Sequence, residues 1–352
     1  NFHLENRKWD NENNNTFDLT GKFAINNLGK KEFAFPEQVK GELSASLNLA
    51  DASLLLEQCN LISGKNNGFL KGEFQLIEPA SFTLDGLVQI PDLTIFSNTF
   101  EPETKIAGSA SLQGRARGTR ENPIIDMELK LNNLPVQDYQ IAELIGQLSY
   151  QQNAITVKSY TLASQNLVLM GDGEINISPS AGPEIHLSYR LQPLTLEPLW
   201  EKLNYSIPLT GLAEGNGYIR GSWPELIMNG HLQLKELAYQ EYGLGHGEVD
   251  FLLQPDQAII AKLREEGSRE LFGIIKNDYI FNLERLQLQN EVLQLNAKGK
   301  TGIGKDCPFS LEVEFGHRAI PDLIEHFYPS QDNLKRVFPS QITGVVTGTG
   351  NS

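Results

Sequence analysis

Gly108-Ser-Ala-Ser-Leu-Gln-Gly-Arg-Ala-Arg-Gly118 and Gly211-Leu-Ala-Glu-Gly-Asn-Gly-Tyr-Ile-Arg-Gly221 are one pattern written twice, 103 residues apart. At that offset residues 108–139 fall on 211–242 without a gap, and 11 of the 32 positions are identical. Composition alone gives about two. The shared positions are Gly and aliphatic residues, with Arg117/Arg220 and Tyr139/Tyr242 beside them. What recurs is therefore shape and apolarity rather than titratable chemistry. The segment after Tyr242 carries Gly243, Gly245 and Gly247, a poor helix. Its counterpart Ile141–Leu148 is read as a strand for that reason, despite a helical spacing.

The repeat extends in both directions. Asn166–Ile177 matches Val292–Ile303 at an offset that has grown to 126, and the surplus falls near 264–279 as an extra hairpin. Ile-Pro-Asp-Leu occurs at 90–93 and at 320–323. A Gly-rich strand opens near Gly41, Gly108, Gly211 and Gly344 at spacings too uneven for the equal blades of a propeller. The predicted organisation is an irregular N-terminal β repeat over 1–80 and a β repeat over 81–206 with a short helix near 196–204. Another repeat follows over 207–338, with the hairpin insert and helices near 320–338. Residues 339–352 begin a further, truncated one.

Within these repeats apolar residues alternate with polar ones, which puts every second side chain on one face of a strand. Leu43, Ala45, Leu47 and Leu49 show it, as do Ile125, Met127, Leu129 and Leu131, and Ile185, Leu187, Tyr189 and Leu191. On the order of two dozen such segments follow, punctuated by Gly, Asn, Asp and Pro. Apart from Ile141–Leu148, helical spacing is confined to Leu196, Leu199, Trp200 and Leu203 and to the region from Ile320 to Phe338. The fold class expected is all-β: an elongated open array curled into a groove, with a few short helices between repeats. Parallel α/β folds are disfavoured, because they need a helical crossover between most strands.

Forty per cent of the 352 residues are hydrophobic, an ordinary globular share. Lys+Arg 29 against Asp+Glu 44 gives a formal charge of −15. That balance argues against nucleic acid as a partner and against a polybasic grip on anionic lipid. Cys59 and Cys307 are read as unpaired, without a zinc-site spacing around them. Nothing at the start reads as a signal peptide, no apolar run reaches membrane-spanning length, and both ends read as cuts in a longer chain.

Chemistry-bearing motifs are weak. The six His are scattered, and the metalloprotease, nucleophile-elbow and phosphate-loop patterns are missing. Gly243–Gly247 is glycine-rich but read as a turn or bulge, and Thr301–Lys305 as a hairpin turn. Glu265–Glu266 falls in the expected insert and Asp126–Glu128 is solvent-face punctuation between Ile125 and Met127, so neither pair is read as acid/base chemistry. No catalytic residue, metal site or cofactor is expected, and the chain is not read as an enzyme.

An amphipathic array must cover its apolar face. Candidate groove-lining residues are Met127, Leu129 and Leu131, Ile155 and Val157, then Leu167, Leu169, Ile175 and Ile177. Beyond them come Leu187, Leu232, Leu234, Phe251, Leu253, Leu286, Leu288, Leu293 and Leu295, and finally Leu311, Val313 and Phe315. The occupant expected is a lipid acyl chain. A secreted sugar-binding β-solenoid would instead repeat aromatic platforms and paired carboxylates, which these repeats lack.

Ile207–Pro224 followed by Met228–Leu234, and the run from Tyr139 to Ile177, resemble the repeat of the TamB family of AsmA-like envelope proteins. The likeness covers about 82–350. It implies a long β-groove across the periplasm of a diderm bacterium, with the parent protein anchored in the inner membrane by an N-terminal helix. Such proteins are similar to bridge-like lipid transfer proteins and are linked to phospholipid transport to the outer membrane. An outer-membrane barrel partner, bound through a C-terminal part outside this chain, is implied as well. The alternative expectation is a scaffold or chaperone that offers strand edges to outer-membrane proteins during translocation and assembly.

Overall fold

The computed structural model describes residues 2–4, 16–25, 38–96, 107–136, 139–164, 166–178, 182–198, 208–222, 225–240, 242–255, 279–289, 294–302, 308–315 and 342–349. These hold nineteen strands, and every pairing whose register is defined among them is antiparallel. They gather in two compact units, Asn1–Gln165 with Asp172–Ile177, and Asn166–Gly171 with Ser178–Ser352.

The first unit contains β1 (Phe2–Leu4), β2 (Thr16–Ile25), β3 (Val39–Asn48), β4 (Ser53–Ser63) and β5 (Asn66–Gln75). β6 (Ser81–Ile90), a 3-10 turn (Leu93–Phe96), β7 (Ser109–Thr119), β8 (Pro123–Val136), β9 (Tyr139–Gln151) and β10 (Ala154–Ser164) complete it. Each strand pairs with the next in the chain. β11 (Leu167–Ser178) divides its residues between the units. The second unit continues with β12 (Gly182–Thr195), β13 (Leu209–Ser222), β14 (Ile227–Tyr239) and β15 (Tyr242–Pro255). β16 (Tyr279–Gln289), β17 (Gln294–Gly302), β18 (Pro308–Phe315) and β19 (Ile342–Thr349) follow, again each paired with its successor. Period-two sequence and hairpin connections thus give an up-and-down meander, and Ile141–Leu148 is a strand as expected. Glu197 and Pro198 are helical. The rest of the helix near 196–204, the insert near 264–279 and the helices near 320–338 lie outside the described residues.

The sequence repeat is reproduced in backbone geometry, each copy within its own unit. Leu93 donates its N–H to the carbonyl of Gly108 (2.9 Å), and Leu196 to that of Gly211 (3.0 Å), again 103 residues on. Gly118 and Gly221 share positive φ, 115° and 118°, and a Cβ on either meets the carbonyl oxygen four residues later at 2.5 Å. Asn133 and Glu236 do likewise at 55° and 53° without being glycine. At the larger offset, Lys158 of β10 and Glu284 of β16 are each an extra residue bulged out of register.

Those bulges have a common side. The extra residues within β4, β10, β12, β14 and β16 fall at Glu57, Lys158, Gln192–Pro193, Glu236 and Glu284. Each is polar or stands beside a polar position. Two other shifts, near the starts of β9 and β15, leave Ala142 and Leu244 extra.

Candidate functional site

Register converts alternation into two chemically distinct faces. In the first unit one row runs Phe23, Gly41, Leu61, Gly68, Val88, Leu112, Leu129, Gly146 and Tyr160 across nine strands. The row displaced by one residue runs Lys22, Glu42, Asn60, Phe69, Leu87, Gln113, Glu128, Gln147 and Ser159. The second unit repeats the division. Leu191, Gly215, Leu232, Val249, Leu286, Ala297 and Val313 share one face, and Arg190, Asn216, His231, Asp250 and Arg285 the other. Among the described residues of β2–β10 and β12–β18, no Asp, Glu, Lys or Arg takes a register position on the first face.

The charged face knits itself together with ion pairs. Arg115 Nε meets Asp85 at 2.6 Å, Lys158 Nζ meets Asp126 at 2.6 Å, and Lys298 Nζ meets Glu312 at 3.0 Å. Asp250 takes His231 Nδ1 on one oxygen (2.7 Å) and Arg285 Nε on the other (2.6 Å), while Arg285 also reaches Glu248 (3.1 Å). His231 first, and Arg285 after it, hold the Asp250 carboxyl below its ordinary range, and Arg115 does the same for Asp85. Such exposed pairs are individually worth about 0–1 kcal/mol. Their effect is to keep this face in water.

The uncharged face is covered only in part. A two-layer core buries its large aliphatics, yet Met127, Leu129 and Leu131 are half-buried and Leu112 is 38% exposed. The buried positions are mostly small or overlaid, such as Ala45 (4%), Ala213 (3%) and Tyr189 (4%). Tyr189 lies across Gly217 and Gly230, where any Cβ would strike its phenol. In the second unit Leu194, Leu196, Ala213, Leu237 and Leu288 form a buried cluster, with Leu167, Leu234, Leu286 and Leu295 packed on it. Elsewhere on this face, among the described residues, no second layer lies over the strands.

The sequence-predicted lining falls as follows. Met127, Leu129, Leu131, Ile155 and Val157 stand on the uncharged face of the first unit, with Val157 buried. Leu187, Leu232, Leu234, Phe251, Leu253, Leu286, Leu288, Leu295, Leu311 and Val313 stand on that of the second, and Leu288 is buried. Phe315 takes the register position between Leu295 and Ile342. On β11, Leu167, Leu169 and Ile175 are half-buried, and Ile177 is 39% exposed with its N–H on the Asn153 carbonyl (2.7 Å). Leu293 lies outside the described residues. Phe17, Phe23, Leu61, Leu70, Phe74 and Leu84, outside the predicted lining, extend the same face through β2–β6.

Two recesses, of about 760 and 340 Å³, are lined mainly by residues at charged-face positions. Among the described residues no cluster of His, Cys, Asp and Glu is arranged to hold a metal, and no helix is long and apolar enough to cross a membrane. Cys59 is a free, buried thiol on the uncharged side, and burial raises its pKa. No protein-family model, curated protein or solved structure gives a significant match to this chain.

Proposed function

We propose that the uncharged face carries phospholipid acyl chains, and that the chain is a segment of a passive lipid conduit between two membranes. The observation that supports this reading is the register itself: among the described residues of β2–β10 and β12–β18, one half-open face takes no charged residue at its register positions, and the opposite face carries the ion pairs. Each CH₂ kept from water is worth about 0.8 kcal/mol, so a sixteen-carbon tail avoids a cost on the order of 12 kcal/mol by staying on such a surface. No specific polar contact is needed, and no reaction takes place.

A curled trough fits the placement of the bulges. An extra residue on the charged side lengthens that side of the strand, and a bulged strand bends. Glu57, Lys158, Glu236 and Glu284 therefore favour curvature with the uncharged face inward. The resemblance to TamB-like repeats supports a periplasmic setting in a diderm bacterium, with an inner-membrane anchor and a role in outer-membrane biogenesis. Purified chain should carry phospholipid that mass spectrometry identifies after organic extraction. Leu131→Asp should lose most of that lipid while keeping its β circular dichroism. A wild-type chain free of lipid, or a Leu131→Asp chain equally loaded, would count against the reading.

A further inference from the structure

In the first unit the alternation that segregates the two faces breaks singly at Ile124 and Ile145, which pair with Arg117 and Lys130, and breaks at four neighbouring places in β4–β6. Leu55, Ile62, Phe69 and Leu87 stand at charged-face positions of β4, β5 and β6, next to Leu54, Leu61, Leu70 and Val88 on the opposite side. Phe69 pairs directly with Leu87, and Ile62 is diagonal to Phe69. Ile62 is 56% exposed, although a strand position facing water normally takes a polar residue. Around it opens the larger recess, of about 760 Å³, within the 300–1,000 Å³ range of small-molecule sites.

Eight of the twelve lining residues belong to two successive charged-face rows, and Phe23, Gly41, Leu61 and Gly68 come from the row between them. Lys40, Ile62 and Asn67 stand in register in one row, and Lys22, Glu42 and Phe69 belong to the other. Lys22 pairs with Glu42 at 3.0 Å. Of the two cations on this lining, Lys22 is thus paired and Lys40 makes no ion pair among the described residues, a state it shares with Lys65, Lys71 and Arg120 elsewhere. An apolar floor, one uncompensated ammonium and a neighbouring carboxamide make a site for a molecule with an apolar body and one negative end. Glu42 repels that end from the Lys22 side, which leaves Lys40 and Asn67 to receive it.

From this we infer that the recess on the charged face of β2–β5 binds a small amphipathic anion, of the fatty-carboxylate type. The anionic group meets Lys40 and the Asn67 amide, and the apolar body lies on Ile62 and Phe69. This site is separate from the acyl-chain surface, because it opens on the other side of the same strands.

Decanoate, decanol and decyltrimethylammonium, each below its micellar range, test this by calorimetry on the full chain. Decanoate should saturate at one site, and the cationic and neutral probes should bind more weakly. Lys40→Glu, a change at an exposed position, should weaken decanoate roughly tenfold or more, the value of a charge-assisted hydrogen bond. Ile62→Asn should weaken it as well, and Leu131→Asp, on the uncharged face, should leave it unchanged. A photoreactive fatty acid should label the peptides that hold Ile62 or Phe69. Equal binding of decanol, or insensitivity to Lys40→Glu, overturns the inference, and so does decanoate binding lost in Leu131→Asp.

Discussion

The phenol of Tyr189 donates a hydrogen bond to the main-chain carbonyl of Asn229 at 2.8 Å, reaching from β12 across β13 to β14. Only glycine at Gly217 and Gly230 leaves room for the ring, and a Cβ on Gly230 would strike Phe251 as well. The floor of the uncharged face is thin at this point. Removing the hydroxyl in Tyr189→Phe should cost about 1 kcal/mol. Gly230→Val must lift the ring and should cost about 1–3 kcal/mol. Amide hydrogen exchange in β13 and β14 reads both, with faster exchange in the valine variant. Unchanged protection in Gly230→Val would show that the ring does not lie there.

Asn133 and Glu236 hold the same left-handed backbone in the two copies of the repeat. A β-branched residue is strongly disfavoured in that conformation, and glycine is at ease. Glu236→Val and Asn133→Val should each destabilise by about 1 kcal/mol or more. The glycine variants should stay within about 0.5 kcal/mol of the parent, since easier local geometry offsets a freer unfolded chain. Thermal unfolding decides it. A tolerated valine at either site would remove the structural basis of the equivalence.

Asp85, Asp126 and Asp250 are all held below the ordinary carboxylate range, first by hydrogen bonds from Arg115, Lys158 and His231 respectively. A depressed carboxyl stabilises the fold above its unfolded value of about 3.9 and loses that contribution as pH falls through the folded value. Stability should therefore be nearly flat on this account between about pH 5 and 7 and fall below about pH 4. Asp250→Asn should flatten part of that acid limb. Urea midpoints across the range measure it, and an acid limb identical in Asp250→Asn would contradict the assignment.

Cys59 is 8% exposed and its thiol pKa is raised by burial, so little thiolate is present near neutral pH. Iodoacetamide should modify Cys59 far more slowly in the native chain than in urea, as peptide mapping shows. Rapid native labelling would mean that the uncharged face of β4 opens readily.

Much of this architecture was legible in the sequence because hairpin-linked strands obey a local rule. Ile125, Met127, Leu129 and Leu131 declare one face by period alone, and the repeat of 108–139 at 211–242 declares equivalent strands. Three things were not legible. A bulge such as Lys158 or Glu284 moves the period by one residue without any distinctive residue type, so its side emerges only from register. Tyr189 reads as another apolar position, and that it lies down rather than stands depends on glycines in two other strands. Ile62 and Phe69 look like the continuation of apolar runs, and their place in the rows of Lys40 and Glu42 depends on pairing between β3, β4 and β5. Local pattern gives the faces. Cross-strand pairing decides what each face contains.

The central claim is that phospholipid lies on one face and not on the other, and β8 offers the most direct test. A photoreactive residue placed in turn at Met127, Glu128, Leu129, Lys130 and Leu131 samples both faces of a single strand. With phospholipid present, crosslinks should rise at 127, 129 and 131 and fall to background at 128 and 130. Crosslinking without that alternation, or strongest at 128 and 130, would contradict the account.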